Sequence, residues 1–110
     1  MSKFDDVLAK CSADLKELGV SYNADLLGKV AKGLGPSIYN DDSKLVACSD
    51  KSELARVKTN FLIKKLGMKD SPALDEALQA VCGQYDKRQK QRVVFYYLLV
   101  EKLGKQAAYK

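Results

Sequence analysis

Residues 87–92, with the sequence Lys-Arg-Gln-Lys-Gln-Arg, carry four positive charges within six positions. Lysine and arginine at this density can neutralise the phosphates of a nucleic acid without reading its sequence. The segment is predicted to occupy the first turns of a helix, where positive charge is unfavourable because the helix N-terminus is the positive end of the helix dipole. An unfavourable placement of charge is a hint of function. The predicted nucleic-acid contacts are Lys87, Arg88, Lys90, Arg92, Lys64 and Lys65.

The charge of the whole chain is compatible with this hypothesis but has an ordinary explanation as well. Residues 1–55 carry a net charge of −2 and residues 56–110 a net charge of +7, which gives +5 in total. Such asymmetry can mark a surface for an anionic partner, but it also describes a solvated, lysine-rich surface. No helix-turn-helix, RRM or KH pattern and no series of exposed aromatic residues accompanies the charge.

Residues for enzyme chemistry are scarce in this sequence. The chain has no histidine, so it lacks the commonest general base and the Ser-His-Asp and Cys-His pairs. Residues 33–37 contain two glycines, but they close a predicted helix where a phosphate-binding loop would open one. Asp41, Asp42 and Asp50 lack the spacing of a calcium loop, and the first two fit better as a helix-start signal. The sequence therefore predicts no catalytic residue and supports no enzyme activity.

The cysteines and the N-terminus bear on the compartment and on metal binding. Cys11, Cys48 and Cys82 are an odd number of widely spaced cysteines, which is typical of reduced, buried thiols and not of a disulfide framework. Because no CxxC spacing is present, we expect no metal, and no cofactor motif appears either.

Residues 1–6 lack the apolar core of a signal peptide, and no apolar run approaches the roughly 20 residues that span a bilayer. These features predict a cytoplasmic protein without a membrane partner.

The elements that would position any site are predicted to be helices arranged around residues 93–100. This stretch is a run of eight apolar or aromatic side chains. Two helical turns without a charged residue leave no face for water, so we expect this helix inside a core. It is predicted to extend from Lys87 to Leu103, and Gly104 is a typical helix end. Each of its two tyrosine hydroxyls needs a hydrogen-bond partner or a route to solvent.

Caps, glycines and apolar spacing predict four further helices. The five helices cover about 3–18, 24–34, 51–66, 72–84 and 87–103, with a short extra helix near 42–47. Asn23 is the expected cap of the second helix, Ser49 or Asp50 of the third, and Ser71 of the fourth. Because no segment alternates clearly between apolar and polar residues, the predicted fold class is all-α. At 110 residues the chain is expected to be a single compact helical bundle and a single domain.

Three stretches of the chain carry a specific likeness. They are residues 32–40 (Lys-Gly-Leu-Gly-Pro-Ser-Ile-Tyr-Asn), 60–67 (Asn-Phe-Leu-Ile-Lys-Lys-Leu-Gly) and 94–100 (Val-Phe-Tyr-Tyr-Leu-Leu-Val). In this order they resemble a family of small bacterial proteins known only as a domain of unknown function, over nearly the whole chain. The resemblance implies a bacterial, single-domain, helical protein and implies no activity. The resemblance also draws attention to a corner of the chain, which comprises Pro36, Ser37, Tyr39, Asn40 and Asp41. Either a shared site or tight packing would explain this corner.

Without a catalytic motif, the leading hypothesis is a small interaction or accessory module that binds another protein or itself. The chain has more tyrosine than a core needs, and tyrosine is enriched at interfaces. Nucleic-acid binding is the alternative. A third hypothesis, a small-molecule or enzymatic site between Pro36 and Asp42, requires a concave pocket there. The candidate exposed anchors are Tyr22, Tyr39, Tyr85 and Tyr109.

Overall fold

The computed structural model describes residues 3–39, 45–86 and 89–109. Its helices are α1 (Lys3–Glu17), α2 (Ala24–Leu34), α3 (Lys51–Val57), α4 (Pro72–Gln84) and α5 (Arg92–Leu103). A 3₁₀ turn at Gly35–Tyr39 follows α2, and another at Gln106–Tyr109 follows α5. The described ranges contain no strand, so the predicted all-α fold is confirmed. None of these helices is long and apolar enough to cross a bilayer.

Helix α5 forms the centre of the core, as predicted. All of Val93–Val100 is buried, and α5 packs against α1, α2 and α4. Its two tyrosine hydroxyls both have partners: Tyr96 accepts a hydrogen bond from Arg92 at 3.0 Å, and Tyr97 accepts one from the Asn23 N–H at 2.8 Å. Gly104 ends the helix with φ of 66°, a left-handed conformation that glycine adopts without steric cost.

The start of α5 differs from the prediction, because the helix begins at Arg92 and not at Lys87. Gln91 is extended, with φ of −62° and ψ of 129°, and forms an isolated antiparallel bridge with Leu45. The N–H of Val46 donates to the carbonyl of residue 90 at 2.8 Å. These partners come from a distant part of the chain, so tertiary pairing overrides the good helix propensity of lysine, arginine and glutamine.

The short helix predicted near 42–47 is wrong for residues 45–47, while residues 42–44 lie outside the described residues. Leu45 and Val46 pair with the chain at residues 90 and 91 instead, and Val46 is buried. This pairing satisfies backbone groups that a single helical turn would leave open, since both ends of a short helix lack intrahelical partners.

The third predicted helix, 51–66, is present but changes type along its length. After α3 the chain continues as a π-helical segment at Lys58–Ile63. Its wider turn is seen where the N–H of Leu66 donates to the carbonyl of Phe61 at 2.9 Å, five residues back. The ring of Phe61 stacks on Tyr96 of α5 with centroids 4.1 Å apart. The apolar face of this helix was therefore predictable, whereas its π-helical turn was not.

Two of the three cysteines are bonded, which corrects the prediction of three reduced thiols. Cys48 and Cys82 form a disulfide, although they are 34 residues apart in the sequence. Only the fold brings them together, because Cys48 lies just before α3 and Cys82 lies near the end of α4. Cys11 is the free and buried thiol that was expected.

Candidate functional site

An open groove lies where the first turns of α1 meet the Gly35–Tyr39 turn and Gln91. Its volume is about 310 Å³, at the small end of the range for ligand-binding pockets. The groove coincides with the corner that the family likeness marks, and it supplies the concave surface that a site at this corner requires. The side chains that line it are Lys3, Asp6, Val7, Lys10, Ile38, Tyr39 and Gln91.

Helix α1 supplies one side of this groove. An α-helix completes a turn in about 3.6 residues, so Lys3, Val7 and Lys10 lie above one another on one face. Both lysines and Asp6 are exposed, while Val7 is half-buried. This side of the groove is therefore an apolar strip with a positive charge at each end and one carboxylate between them.

The Gly35–Tyr39 turn supplies the opposite side through two consecutive residues with opposite exposure. Ile38 is buried in the core, with 3% of its surface exposed, and it holds the turn in place. Tyr39 is 42% exposed. Among the described residues, no other large hydrophobic residue is exposed to this extent.

Gln91 is a buried residue of the groove lining and is held by a hydrogen-bond network. Its N–H donates to the hydroxyl of Tyr85 at 2.9 Å, and that hydroxyl donates to the carboxylate of Asp14. Burial, together with the hydrogen bond to Asp14, raises the pKa of Tyr85 far above its ordinary value. The hydroxyl therefore keeps its proton, and the network connects α1, the end of α4 and the start of α5.

The groups that line the groove can contact a charged ligand. Its lining offers ammonium groups, one carboxylate, a phenol and an amide, but no side chain that would pair a nucleophile with a histidine base. Two ammonium groups beside apolar surface fit a ligand that combines carboxylates with an apolar side chain. Among the described residues, no three His, Cys, Asp or Glu side chains are placed to hold a metal ion.

The predicted corner residues are placed unequally. Tyr39 lines the groove, and Pro36 and Ser37 come before it in the same 3₁₀ turn. Asn40 and Asp41 lie outside the described residues. The groove therefore retains one predicted side chain and adds others that the sequence did not single out.

Sequence reasoning missed Lys3, Lys10 and Gln91 as lining residues. The heptad-like spacing of the two lysines around Val7 is a visible signal of one shared helix face. Nothing in the sequence connects that face with Tyr39 or with Gln91, because their proximity arises only when α1, α2 and α5 pack together.

The residues predicted to contact nucleic acid occupy at least two places. Lys87 and Arg88 lie outside the described residues. Lys90 is half-buried just ahead of α5, whereas Lys64 and Lys65 are exposed just after the π-helical segment. The ammonium group of Lys65 lies 5.2 Å from the centroid of the Tyr109 ring, a cation–π contact.

Arg92 is engaged inside the molecule. Its guanidinium forms an ion pair with Glu53, and both side chains are only 13% exposed. It also donates to the hydroxyl of Tyr96 at 3.0 Å and to the carbonyl of Leu45 at 3.3 Å. A phosphate would have to displace these partners, so Arg92 contributes little free charge to a nucleic-acid surface.

The four tyrosines predicted as exposed anchors differ in exposure. Tyr39 is exposed, Tyr22 and Tyr109 are half-buried, and Tyr85 is fully buried. The prediction is wrong for Tyr85 because its hydroxyl is needed in the network around Gln91. Tyr109 lies over Gly33, 3.6 Å from the position that a β-carbon would occupy.

A second groove, of about 300 Å³, lies between α3 and α4. Its central charge is already neutralised, because Lys58 contacts Asp70 at 2.7 Å and Asp75 at 3.1 Å. Hydrogen bonds to these two carboxylates raise the pKa of Lys58. The second groove therefore presents less unpaired charge to a ligand than the groove at Tyr39.

Comparison with known families agrees with the resemblance seen in the sequence. Residues 10–107 match the family described as protein of unknown function DUF2853. The chain belongs to the DUF2853 family. The match includes the Gly35–Tyr39 turn, α5 and both cysteines of the disulfide, whereas Lys3 and Asp6 precede it. No curated protein matches the chain. The description of DUF2853 gives no activity, so a function for this member must be argued from its own groove.

Proposed function

We propose that this DUF2853 protein is an interaction module that binds an acidic, partly apolar segment of another protein. The segment lies in the groove between α1 and the Gly35–Tyr39 turn. The observation that carries this proposal is Tyr39, a residue that is 42% exposed beside a concave surface. Tyrosine at such a position is typical of the residues that dominate binding energy at protein interfaces.

The charges of the groove favour the acidic chemistry of the partner. Lys3 and Lys10 are seven positions apart on α1, which corresponds to a rise of about 10 Å. In a peptide with the polyproline II conformation, carboxylates three residues apart lie on the same face and span a similar distance, because this helix has three residues per turn and advances about 3.1 Å per residue. Between these charges, Val7 and Tyr39 offer apolar contact. Asp6 between the lysines disfavours an acidic group at the centre of the segment.

The shape of the groove favours a segment of protein over a small metabolite. Pockets for small molecules usually enclose 70–90% of their ligand, whereas this groove is open to solvent and has a volume of only about 310 Å³. A peptide can lie along such a surface and gain contacts over several residues. A second copy of the chain could also occupy the groove, but the net charge of +5 opposes association between like-charged surfaces. We further propose that this interaction takes place in the cytoplasm of a bacterium.

Charge reversal in the groove is expected to weaken binding of an acidic peptide. The probe is a fluorescein-labelled Gly-Glu-Phe-Leu-Glu-Gly peptide, and the measurement is fluorescence anisotropy. Lys3→Glu with Lys10→Glu should lower the affinity about tenfold, because two exposed charge pairs of about 0.7 kcal/mol each are lost. Tyr39→Ala should have an effect of similar size, about tenfold, because it removes the central aromatic contact.

The matched control reverses two lysines that do not line the groove. Lys29 and Lys69 are both exposed, so Lys29→Glu with Lys69→Glu makes the same change in net charge and should leave the affinity nearly unchanged. Equal losses in the two double variants would mean that only net charge matters and would contradict the proposed site. A wild-type protein that prefers the matching Gly-Lys-Phe-Leu-Lys-Gly peptide, or that forms a dimer through Tyr39 in sedimentation, would contradict the proposed partner.

Nucleic-acid binding is a second candidate, favoured by the arrangement at Lys64 and Lys65. These adjacent lysines are exposed, and the ring of Tyr109 lies against Lys65. Positive charge beside an aromatic ring is a combination used to bind single-stranded nucleic acid. The engagement of Arg92 with Glu53 weakens this candidate, because it removes one of the charges on which the hypothesis depends.

Reversing these two lysines is expected to reduce the salt dependence of nucleic-acid binding. For a labelled single-stranded oligonucleotide, the negative slope of log affinity against log salt concentration should become shallower by about 0.7 for each lost phosphate contact. The variant is Lys64→Glu with Lys65→Glu, measured beside Lys29→Glu with Lys69→Glu. If the wild-type protein binds no oligonucleotide at low salt, or if the two variants have the same slope, this candidate is abandoned.

A further inference from the structure

The Cys48–Cys82 disulfide is attached to a short segment, residues 45–50, whose other contacts within the described part of the chain are mainly with the start of α5 and with α3. Cys48 lies in a turn of this segment and Cys82 lies on α4, and both residues are half-buried. The segment has no regular secondary structure of its own, and its last residue, Asp50, caps α3. The covalent bond therefore joins an irregular segment to the packed body of the helical bundle.

One contact of this segment leads directly to the groove, through Gln91. Leu45 forms the bridge with Gln91, and the N–H of Val46 donates to the carbonyl of Lys90 at 2.8 Å. Gln91 lines the groove. A change in how residues 45–50 are held therefore acts on the backbone pair that positions one residue of the groove lining.

The third cysteine does not compete for this disulfide. Cys11 is fully buried, and burial, with a smaller effect of Asp14, raises the pKa of its thiol to about 12. Thiol–disulfide exchange requires a thiolate. Opening of the Cys48–Cys82 bond therefore leaves two thiols that can re-form the same bond without rearrangement to Cys11.

We propose that reversible reduction of the Cys48–Cys82 disulfide releases residues 45–50 and thereby weakens ligand binding in the groove. The reductant is a dithiol. One of its thiolates attacks the sulfur of one cysteine and forms a mixed disulfide with it, which releases the other cysteine. The second thiol of the reductant then attacks the mixed disulfide and releases the first cysteine. The dithiol leaves as a disulfide, and two electrons and two protons are left on Cys48 and Cys82 as thiols. The effect on the groove rests on the function proposed above, whereas the release of the segment does not.

The expected difference between the two forms follows from the loss of a cross-link. Without the disulfide, the two ends of the segment stay attached among the described residues. Leu45 and Val46 are held by the bridge, by the hydrogen bonds to Lys90 and from Arg92, and by burial of Val46. Asp50 is held by its capping of α3. An irregular segment held by contacts at its ends opens far more often than the core. Helix α5 keeps its own packing against α1, α2 and α4, so the fold as a whole persists in the reduced form.

The test uses the full chain with and without dithiothreitol, and thiol alkylation with mass spectrometry verifies the state of the bond. Hydrogen exchange is measured by NMR at the amide of Val46, with the amide of Leu99 as the internal control. Reduction should speed exchange at Val46 at least about tenfold and leave Leu99 nearly unchanged. The affinity for the labelled Gly-Glu-Phe-Leu-Glu-Gly peptide should fall several-fold, and reoxidation should restore both values.

Variants separate this proposal from its alternatives. Cys11→Ser should respond to dithiothreitol as the wild-type protein does, whereas Cys48→Ser with Cys82→Ser should behave as the reduced form under both conditions. Unchanged exchange at Val46 on reduction would overturn the release of the segment. Faster exchange with an unchanged peptide affinity would overturn the control of the groove. If the oxidised protein binds no peptide, the function proposed above fails, and exchange at Val46 still decides whether reduction releases the segment.

Discussion

Replacement of Leu99 by aspartate is expected to unfold the protein. Leu99 is completely buried near the middle of α5, where it is surrounded by other apolar residues of the core. An unpaired carboxylate at such a position costs several kcal/mol, and a domain of this size has a free energy of unfolding of only about 5–15 kcal/mol. The far-ultraviolet circular dichroism of Leu99→Asp should therefore lack the helical signal of the wild-type protein at 25 °C.

Two variants show whether this loss comes from the buried charge. Lys102→Asp places the same side chain on an exposed position of α5 and should lower the free energy of unfolding by no more than about 1 kcal/mol. Leu99→Met keeps the volume and should cost less than about 1.5 kcal/mol. A Leu99→Asp protein with the melting temperature of the wild type would mean that α5 is not the centre of the core.

Local sequence signals predicted the helices well because those signals act over a few residues. The side chain of Asn23 accepts hydrogen bonds from the N–H groups of residues 25 and 26, as a helix cap does. Asp50 caps α3 in the same way. The core run at Val93–Val100 was equally clear, since its burial follows from composition alone. Ser71 occupies the cap position of α4, but its side chain makes no capping hydrogen bond.

The features that were missed depend on contacts between distant parts of the chain. The bridge of Leu45 with Gln91 removes residues 89–91 from the helix that their propensities favour. The disulfide depends on how the turn before α3 lies beside α4, which the spacing of Cys48 and Cys82 does not reveal. Both features result from tertiary structure overriding local preference, and single-sequence reasoning has no measure of that competition.

The candidate site was predicted in part for the same reason. Tyr39 was found because it belongs to the corner that the resemblance marks, and the fold leaves this residue exposed. Lys3 and Lys10 join it only through the packing of α1 beside the Gly35–Tyr39 turn. Arg92 shows the opposite error, because a charge that stands out in the sequence as a binding residue is used inside the structure.

The ion pair between Arg92 and Glu53 supports the start of α5 and is expected to matter for stability. Glu53 accepts hydrogen bonds from two arginines, Arg92 and Arg56, the second at 2.9 Å. Burial alone would raise the pKa of Glu53, but the hydrogen bonds from Arg56 and Arg92 outweigh it and hold the pKa below its usual value of 4.5. The two arginines differ sharply in exposure, because Arg92 is 13% exposed and Arg56 is 64% exposed.

Arg92→Leu should therefore lower the free energy of unfolding by about 3 kcal/mol, since removing one partner of a mostly buried pair leaves the other charge uncompensated. Arg56→Leu should cost less than about 1 kcal/mol, because an exposed ion pair is screened by solvent. Urea denaturation at neutral pH measures both values.

A carboxyl with a lowered pKa stabilises the folded state above its unfolded pKa and loses that effect as the pH falls through its folded pKa. The difference between wild type and Arg92→Leu should accordingly shrink as the pH is lowered from 4.5. Equal losses in the two leucine variants would show that burial does not distinguish the two ion pairs.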